Sequence, residues 1–263
     1  MRRSYYAPSS GAAGLRYNDD LMLILAIDTS TRTGSVAFLR DDHVLDEVSG
    51  REETPYSTRL FRDLELLQSR AQFRIDQIDV FAVACGPGSF TGLRVGLTAA
   101  KAWAEVHGKP IAAVSGLEAI AAQTKAFEGD SAKETGIVSP FLDARRGQLF
   151  GSSYRRSPGN PFRLELIGEE SILSPEEFLE SAKGNSLTGK PILVSPTPDV
   201  LPESLVKQFL PGVRIETVSG ILAPVIGRLG FERANRGELV DALALDANYV
   251  RRSDAEAAWK DVR

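Results

Sequence analysis

Leu23-Ile24-Leu25-Ala26-Ile27-Asp28-Thr29-Ser30-Thr31-Arg32-Thr33-Gly34-Ser35-Val36-Ala37-Phe38-Leu39 decides how the rest of the chain is read. Its first five residues are apolar without alternation, which suits a strand buried on both faces. Asp28 opens a polar turn that closes at Gly34, and 35–39 returns as a second strand. Asp41-Asp42 turns the chain again, and Val44-Leu45-Asp46-Glu47-Val48 makes a third strand. Three strands joined this closely form an antiparallel meander.

Outward from the meander, 57–71 reads as a helix with Leu60, Leu64, Leu67 and Ala71 on one stripe and Phe61 beside it. A buried strand at 80–85 runs into Gly86-Pro87-Gly88-Ser89-Phe90-Thr91-Gly92. Then come a helix at 93–106, a strand at 111–114 and a helix at 117–125, giving βββαβαβα. The order restarts at 137–142, an apolar run ending in Asp143. Strands are expected at 148–154, 163–167, 191–194 and 213–218. Helices are expected at 175–182 behind Ser174 as N-cap, at 203–210 and at 223–236. Asp28…Gly34 and Asp143…Gly147 are thus equivalent hairpins in two repeats of topology.

An internal duplication of βββαβαβα resembles the plan of the actin, Hsp70 and hexokinase superfamily. The fold class expected is α/β, a duplicated actin-like (ASKHA, ribonuclease H-like) two-lobed fold with a degenerate second lobe. The boundaries expected are a polar N-terminal extension at 1–21, a first lobe at 22–130 and a second at 131–263. The terminal helical region has room to pack back on the first lobe.

The chain has 263 residues, 43% hydrophobic and 25% charged, which is ordinary for a globular protein. Its formal charge is -4, and a protein gripping RNA alone usually carries a basic surplus. Arg145-Arg146, Arg155-Arg156 and Arg251-Arg252 are scattered and read as solvated surface. Cys85 is the single cysteine, so neither an internal disulfide nor a cysteine-based zinc site is available. It ends an apolar run and reads as a small buried residue. No stretch approaches the ~20 apolar residues of a membrane span, and a cytoplasmic location is expected. His43 and His107 are the only histidines and are not spaced as a metal pair. Asp41-Asp42 reads as a turn and Glu169-Glu170 as a solvated loop.

Two segments could carry chemistry. Asp28, Thr29 and Ser30 stand where actin-like ATPases hold phosphate, with the Asp able to hold magnesium through water. The same residues are also ordinary turn formers. Gly86, Gly88, Ser89 and Thr91 lie where a strand, a glycine turn and a helix N-terminus make an anion site. The segment lacks the Gly-Lys-Ser/Thr of a Walker loop and the spacing of a dinucleotide fingerprint. A tight turn with Ser89 or Thr91 as cap is the alternative. Gly92 and Gly96, continued by Ala99, Ala100 and Trp103, give the following helix a small-residue face that serves core and a subunit interface.

Met22 through Ser30, Gly86 through Gly96, Asp143-Ala144-Arg145-Arg146-Gly147-Gln148-Leu149-Phe150 and, more weakly, Asn248-Tyr249-Val250-Arg251 together resemble the TsaB (YeaZ) family of bacterial tRNA threonylcarbamoyladenosine biosynthesis proteins. The resemblance spans 22–252. It implies a non-catalytic subunit that supports threonylcarbamoyl transfer to the adenosine beside the tRNA anticodon. It implies a TsaD-type catalytic paralogue and a TsaE-type P-loop ATPase as partners, a homodimer when alone, and tRNA held mainly by the complex. No tightly bound cofactor is expected, with ATP or ADP and magnesium having a place only in the assembly. By position, the interface falls on Leu60, Leu64 and Leu67 of one helix and Gly92, Gly96, Ala100 and Trp103 of the next. Gly96→Leu is then expected to disrupt partner binding and spare the fold. The alternative is a small ATPase or kinase of the same superfamily using Asp28 to Ser30; a metal hydrolase has less support. The chain departs from the family in having Ala247-Asn248 where a proline usually precedes the terminal Tyr-Leu-Arg.

Overall fold

The computed structural model describes residues 21–50, 56–127, 135–185 and 190–250. Their helices and strands form two matching sets. The first is β1 (Leu23–Asp28), β2 (Ser35–Arg40), β3 (His43–Ser49), α1 (Tyr56–Ala71), β4 (Val80–Gly86), α2 (Phe90–His107), β5 (Ile111–Ser115) and α3 (Gly116–Ala121). The second is β6 (Gly136–Arg145), β7 (Gln148–Arg156), β8 (Leu164–Leu173), α4 (Pro175–Asn185), β9 (Ile192–Ser195), α5 (Glu203–Phe209), β10 (Ile215–Thr217) and α6 (Ala223–Asn235). One sheet runs β3-β2-β1-β4-β5 and the other β8-β7-β6-β9-β10, the same order position for position. In both, the meander pairs antiparallel and the later strands pair parallel. This is the duplicated actin-like α/β fold.

The apolar run at 23–27 is buried at every position, as a central strand must be. Successive side chains point to opposite faces. Leu25 and Ile27 join Leu60, Leu64, Leu67, Leu93, Leu97 and Ala100 in an outer core beneath α1 and α2. Ile24 and Ala26 point the other way, into a second core with Ala82 and Ala112. The second lobe repeats the outer layer, with Phe178, Leu179 and Val206 of α4 and α5 packed on Phe141, Leu149 and Leu193.

The inner layer is exchanged between halves. Helix α6, from the second half, covers the first sheet across β1, β2 and β4, while α3, from the first half, packs chiefly on β6 and β7. Missing side chains make the close approach of α6 possible. A Cβ on Gly227 would strike Leu39, and one on Gly230 would lie 2.7 Å from the Ala82 Cβ. Helix α3 is buried at all six positions. One apolar cluster therefore runs from Ile24 and Ala82 through Leu117 and Ile120 to Val138 and Val194, filling the space between the lobes.

Two elements differ most from the sequence reading. The helix expected at 117–125 ends at Ala121, and the strand expected to stop at 167 continues to Leu173. Glu170 consequently stands on a strand rather than in a solvated loop. After α6 the chain crosses back over the first lobe as a strap. Val240 and Ile111 exchange backbone hydrogen bonds of 2.8 and 2.9 Å, and Leu245 is buried in the outer core.

Candidate functional site

The β1–β2 turn and the glycine segment fold onto each other. Asp28 is fully buried at the end of β1. Its Oδ1 accepts from the Ser30 amide at 2.8 Å and the Ser30 hydroxyl at 2.6 Å, and its Oδ2 from the Thr31 hydroxyl at 2.8 Å. Burial raises its pKa, against the lowering effect of those hydrogen bonds. Thr29 Oγ1 donates to the Gly92 carbonyl at 2.7 Å and accepts from the Gly96 amide at 3.1 Å. The Ser89 amide donates to the Ser30 carbonyl at 2.9 Å.

These contacts explain the glycine spacing. A Cβ on Gly88 would lie 2.6 Å from the Ser30 carbonyl oxygen; one on Gly92 would strike the Thr29 carbonyl, and one on Gly96 the Thr29 hydroxyl. Gly86 has φ +120° and faces the Asn248 carbonyl, where a Cβ would come within 2.6 Å. Ser89 is the N-cap of α2, its hydroxyl accepting from the Gly92 amide.

The candidate phosphate contacts thus have other work. Asp28, Thr29 and Ser30 are buried with their polar atoms engaged, and Gly86 and Gly88 press on neighbouring backbone. Ser89 and Thr91 are the members of that set left exposed, and the Ser89 hydroxyl caps its own helix. The residues read as a phosphate cradle form an internal joint, the glycine loop packing directly on the turn. The second hairpin keeps only part of this arrangement. Asp143 Oδ1 accepts the Arg145 amide at 2.6 Å, the same two-residue spacing as Asp28 to Ser30, but on an exposed turn.

The interface residues need a similar correction. Leu60, Leu64, Leu67, Gly92, Gly96 and Ala100 are buried in the first lobe's own core, because α1 and α2 spend their apolar stripes on the sheet beneath them. Trp103 is partly exposed, packed edge-on against Phe61 with ring centroids 6.2 Å apart. Phe61 is 59% and Val106 76% exposed. Phe61, Trp103 and Val106 are apolar side chains that these helices present outward.

A polar cluster between the lobes was missed by local reading. Glu170 on β8 accepts from the Ser115 and Tyr154 hydroxyls and from the Asn248 side-chain amide. Burial raises the pKa of Glu170, and burial beside that carboxylate raises Tyr154 well above the ordinary phenol range. Nearby, Glu118 of α3 pairs with Arg233 of α6 at 2.5 Å, and burial raises its pKa against the pull of the guanidinium. Cys85 borders the cluster, its thiol pushed up to about 12 by burial, so it is not a poised nucleophile. The only signal for this cluster in the sequence was Asn248, in the weaker terminal match.

No group of His, Cys, Asp and Glu able to hold a metal occurs among the described residues, and no helix among them is long and apolar enough to cross a membrane.

Comparison with known proteins agrees with this architecture. Residues 54–193 match the family model described as TsaD, tRNA N6-adenosine threonylcarbamoyltransferase. The tRNA threonylcarbamoyladenosine biosynthesis protein TsaB of Bacillus subtilis is 31% identical over 238 residues, covering 90% of this chain and 98% of that protein. The Escherichia coli protein of the same name is 31% identical over 172 residues, covering 64% of this chain and 70% of its own. The solved structure of YeaZ from Pseudomonas aeruginosa superposes with a TM-score of 0.65 at 24% identity, covering 87% of this chain and 99% of that one. With near-complete coverage of a curated relative and the same fold, the chain belongs to the TsaB (YeaZ) family.

Proposed function

We propose that the chain is a non-catalytic subunit in tRNA threonylcarbamoyladenosine formation, supporting transfer of the threonylcarbamoyl group to the adenosine next to the anticodon. The observation that carries this reading is the closed joint between Asp28–Ser30 and the glycine segment. In a kinase or ATPase of this fold the corresponding turn must stay open to phosphate. Here its carboxylate, its hydroxyls and its backbone are committed to neighbouring atoms. The relatives, tRNA threonylcarbamoyladenosine biosynthesis proteins, supply the pathway.

On this reading the catalytic partner is a TsaD-type paralogue, and a TsaE-type P-loop ATPase joins the assembly. The apolar surface around Phe61, Trp103 and Val106 serves the paralogue in the complex and a second copy when the chain is alone. ATP or ADP and magnesium belong to the assembly rather than to this chain. A formal charge of -4 fits a subunit that leaves most of the tRNA to its partners. On this reading the protein acts in the cytoplasm.

Reconstitution tests this directly. TsaD- and TsaE-type partners, tRNA, a threonylcarbamoyl-adenylate supply and ATP are combined with and without this chain, and the modified nucleoside is quantified by mass spectrometry. Product that depends on the chain, together with no ATP turnover by the chain alone, is the expected result. Equal product without the chain would overturn the reading, and ATP turnover by the isolated chain would bring the kinase alternative forward.

A further inference from the structure

Three parts of the molecule meet at one carboxylate. Glu170 belongs to the second lobe, and Ser115, which donates to its Oε1, ends a strand of the first. Tyr154 of the second lobe donates to the same oxygen at 2.5 Å. Asn248, on the strap, donates its side-chain amide to Oε2 at 2.5 Å. The same Asn248 donates its backbone N–H to the Cys85 carbonyl at 2.7 Å, and its own carbonyl lies against Gly86. Gly86 leads within three residues to Ser89, the N-cap of α2. The next strap residue, Tyr249, packs on Phe90, the first residue of α2, at 5.0 Å between ring centroids. Arg94 stacks on the Phe90 ring at 3.9 Å and reaches the Tyr249 hydroxyl at 3.4 Å.

We propose that Glu170 and Asn248 form a releasable clasp that makes the position of the N-terminal end of α2 depend on the second lobe. Each bond is of a kind that opens locally. The hydrogen-bond partners of Glu170 are uncharged, and a carboxylate removed from water without a cation recovers only part of its solvation from neutral donors. The strap from 236 to 250 holds to the body by one bridge at Val240, one fully buried leucine, the half-buried Leu239, Ala242, Ala247 and Val250, and the Asn248–Tyr249 contacts, with Leu243 90% exposed among them. A segment with a single fully buried side chain opens below the global unfolding free energy. Helix α2 also carries part of the outward apolar surface, so the clasp links the second lobe to whatever binds there. That last link alone rests on the proposed function; the coupling is a property of the isolated chain.

Hydrogen exchange followed by mass spectrometry on the full chain tests it. Wild type, Asn248→Ala and Glu170→Ala are compared at peptides covering 240–250, 86–95 and 23–28. Asn248→Ala removes one hydrogen bond to the half-buried carboxylate and Glu170→Ala removes all three that it accepts, and each is expected to speed exchange roughly tenfold or more. Both variants should show this at 240–250 and at 86–95, with 23–28 unchanged. Faster exchange confined to 240–250 would overturn the proposal, because the strap would then move without α2. If 23–28 also accelerates in either variant, Tyr249→Ala and Glu170→Gln loosen the clasp without emptying its buried centre. They should reproduce the pattern more weakly, and unchanged exchange at 86–95 in both overturns the proposal. No partner, RNA or activity enters the readout, so failure here is distinct from failure of the functional reading.

Discussion

The amide of Gly96 donates to the hydroxyl of Thr29 across 67 residues of sequence, at 3.1 Å, with no room for a Cβ on Gly96 beside that hydroxyl. This bond fixes α2 against the end of β1. Gly96→Leu should therefore cost fold stability rather than act only on partner binding. Forcing a side chain into such a contact typically costs about 1–3 kcal/mol, occasionally more. Urea unfolding measures it; an unchanged midpoint would contradict the packing described.

Asp28 is a structural acceptor for three donors. Asp28→Ala leaves them without a partner inside the protein and should destabilise by roughly 3 kcal/mol. Asp28→Asn retains an acceptor and should lose less. Thermal melts of the two variants give the order, and equal stability of both with wild type would return the turn to the role of an open ligand site.

The exposed side chains on α1 and α2 should separate binding from folding. Val106→Glu alters a surface position, so its unfolding free energy should stay within about 0.5 kcal/mol of wild type, and Phe61→Asp, which also loses the edge contact with Trp103, within about 1.5 kcal/mol. Their affinity for a TsaD-type partner should fall about tenfold or more if they sit at a contact centre. Titration by calorimetry reads the affinity, and undiminished binding by both variants would move the interface elsewhere.

Glu118 and Glu170 both have pKa values raised by burial from an ordinary value of 4.5. The groups around them are Tyr154 on β7, Cys85 on β4, Arg233 on α6, Arg236 just beyond it, and each other. Between the unfolded and folded pKa values the native state binds more protons. Stability from these carboxyls is complete below about pH 4.5 and is lost as pH rises through the raised values. Glu170→Gln should flatten this dependence. Arg233→Met should steepen it and cost about 3–5 kcal/mol near neutral pH, since Glu118 is left buried without its cation. Urea midpoints between pH 5 and 8 check the sign.

The strands and helices were legible because each apolar run is bounded by turn residues and each helix carries one stripe. What local reading lacked was the identity of the neighbour. The glycines of 86–96 signal close approach, but nothing beside them names Thr29 and Ser30 as what approaches. The stripe Leu60, Leu64, Leu67 signals burial, but burial under one's own sheet and burial under a partner look alike in sequence. Glu170 was hidden by its neighbour: on a strand Glu169 and Glu170 point to opposite sides, so a pair that reads as solvated divides into one exposed residue and one in the interlobe cluster. Gly227 and Gly230, three apart on α6, marked a helix that lies flat on something, without saying that the sheet belongs to the other half.

That exchange of helices sets a schedule for synthesis. The first sheet leaves the ribosome with Ile24, Ala26, Leu39 and Ala82 bare on one side, and the helix that covers them is encoded more than a hundred residues later. At about 5–20 residues per second the wait is on the order of ten seconds. During it the nascent N-terminal half is an unfinished sandwich with an apolar face for chaperones to shield. A stop codon anywhere before Ala223 would leave that face open for good, so truncated products should aggregate rather than survive as a folded first lobe.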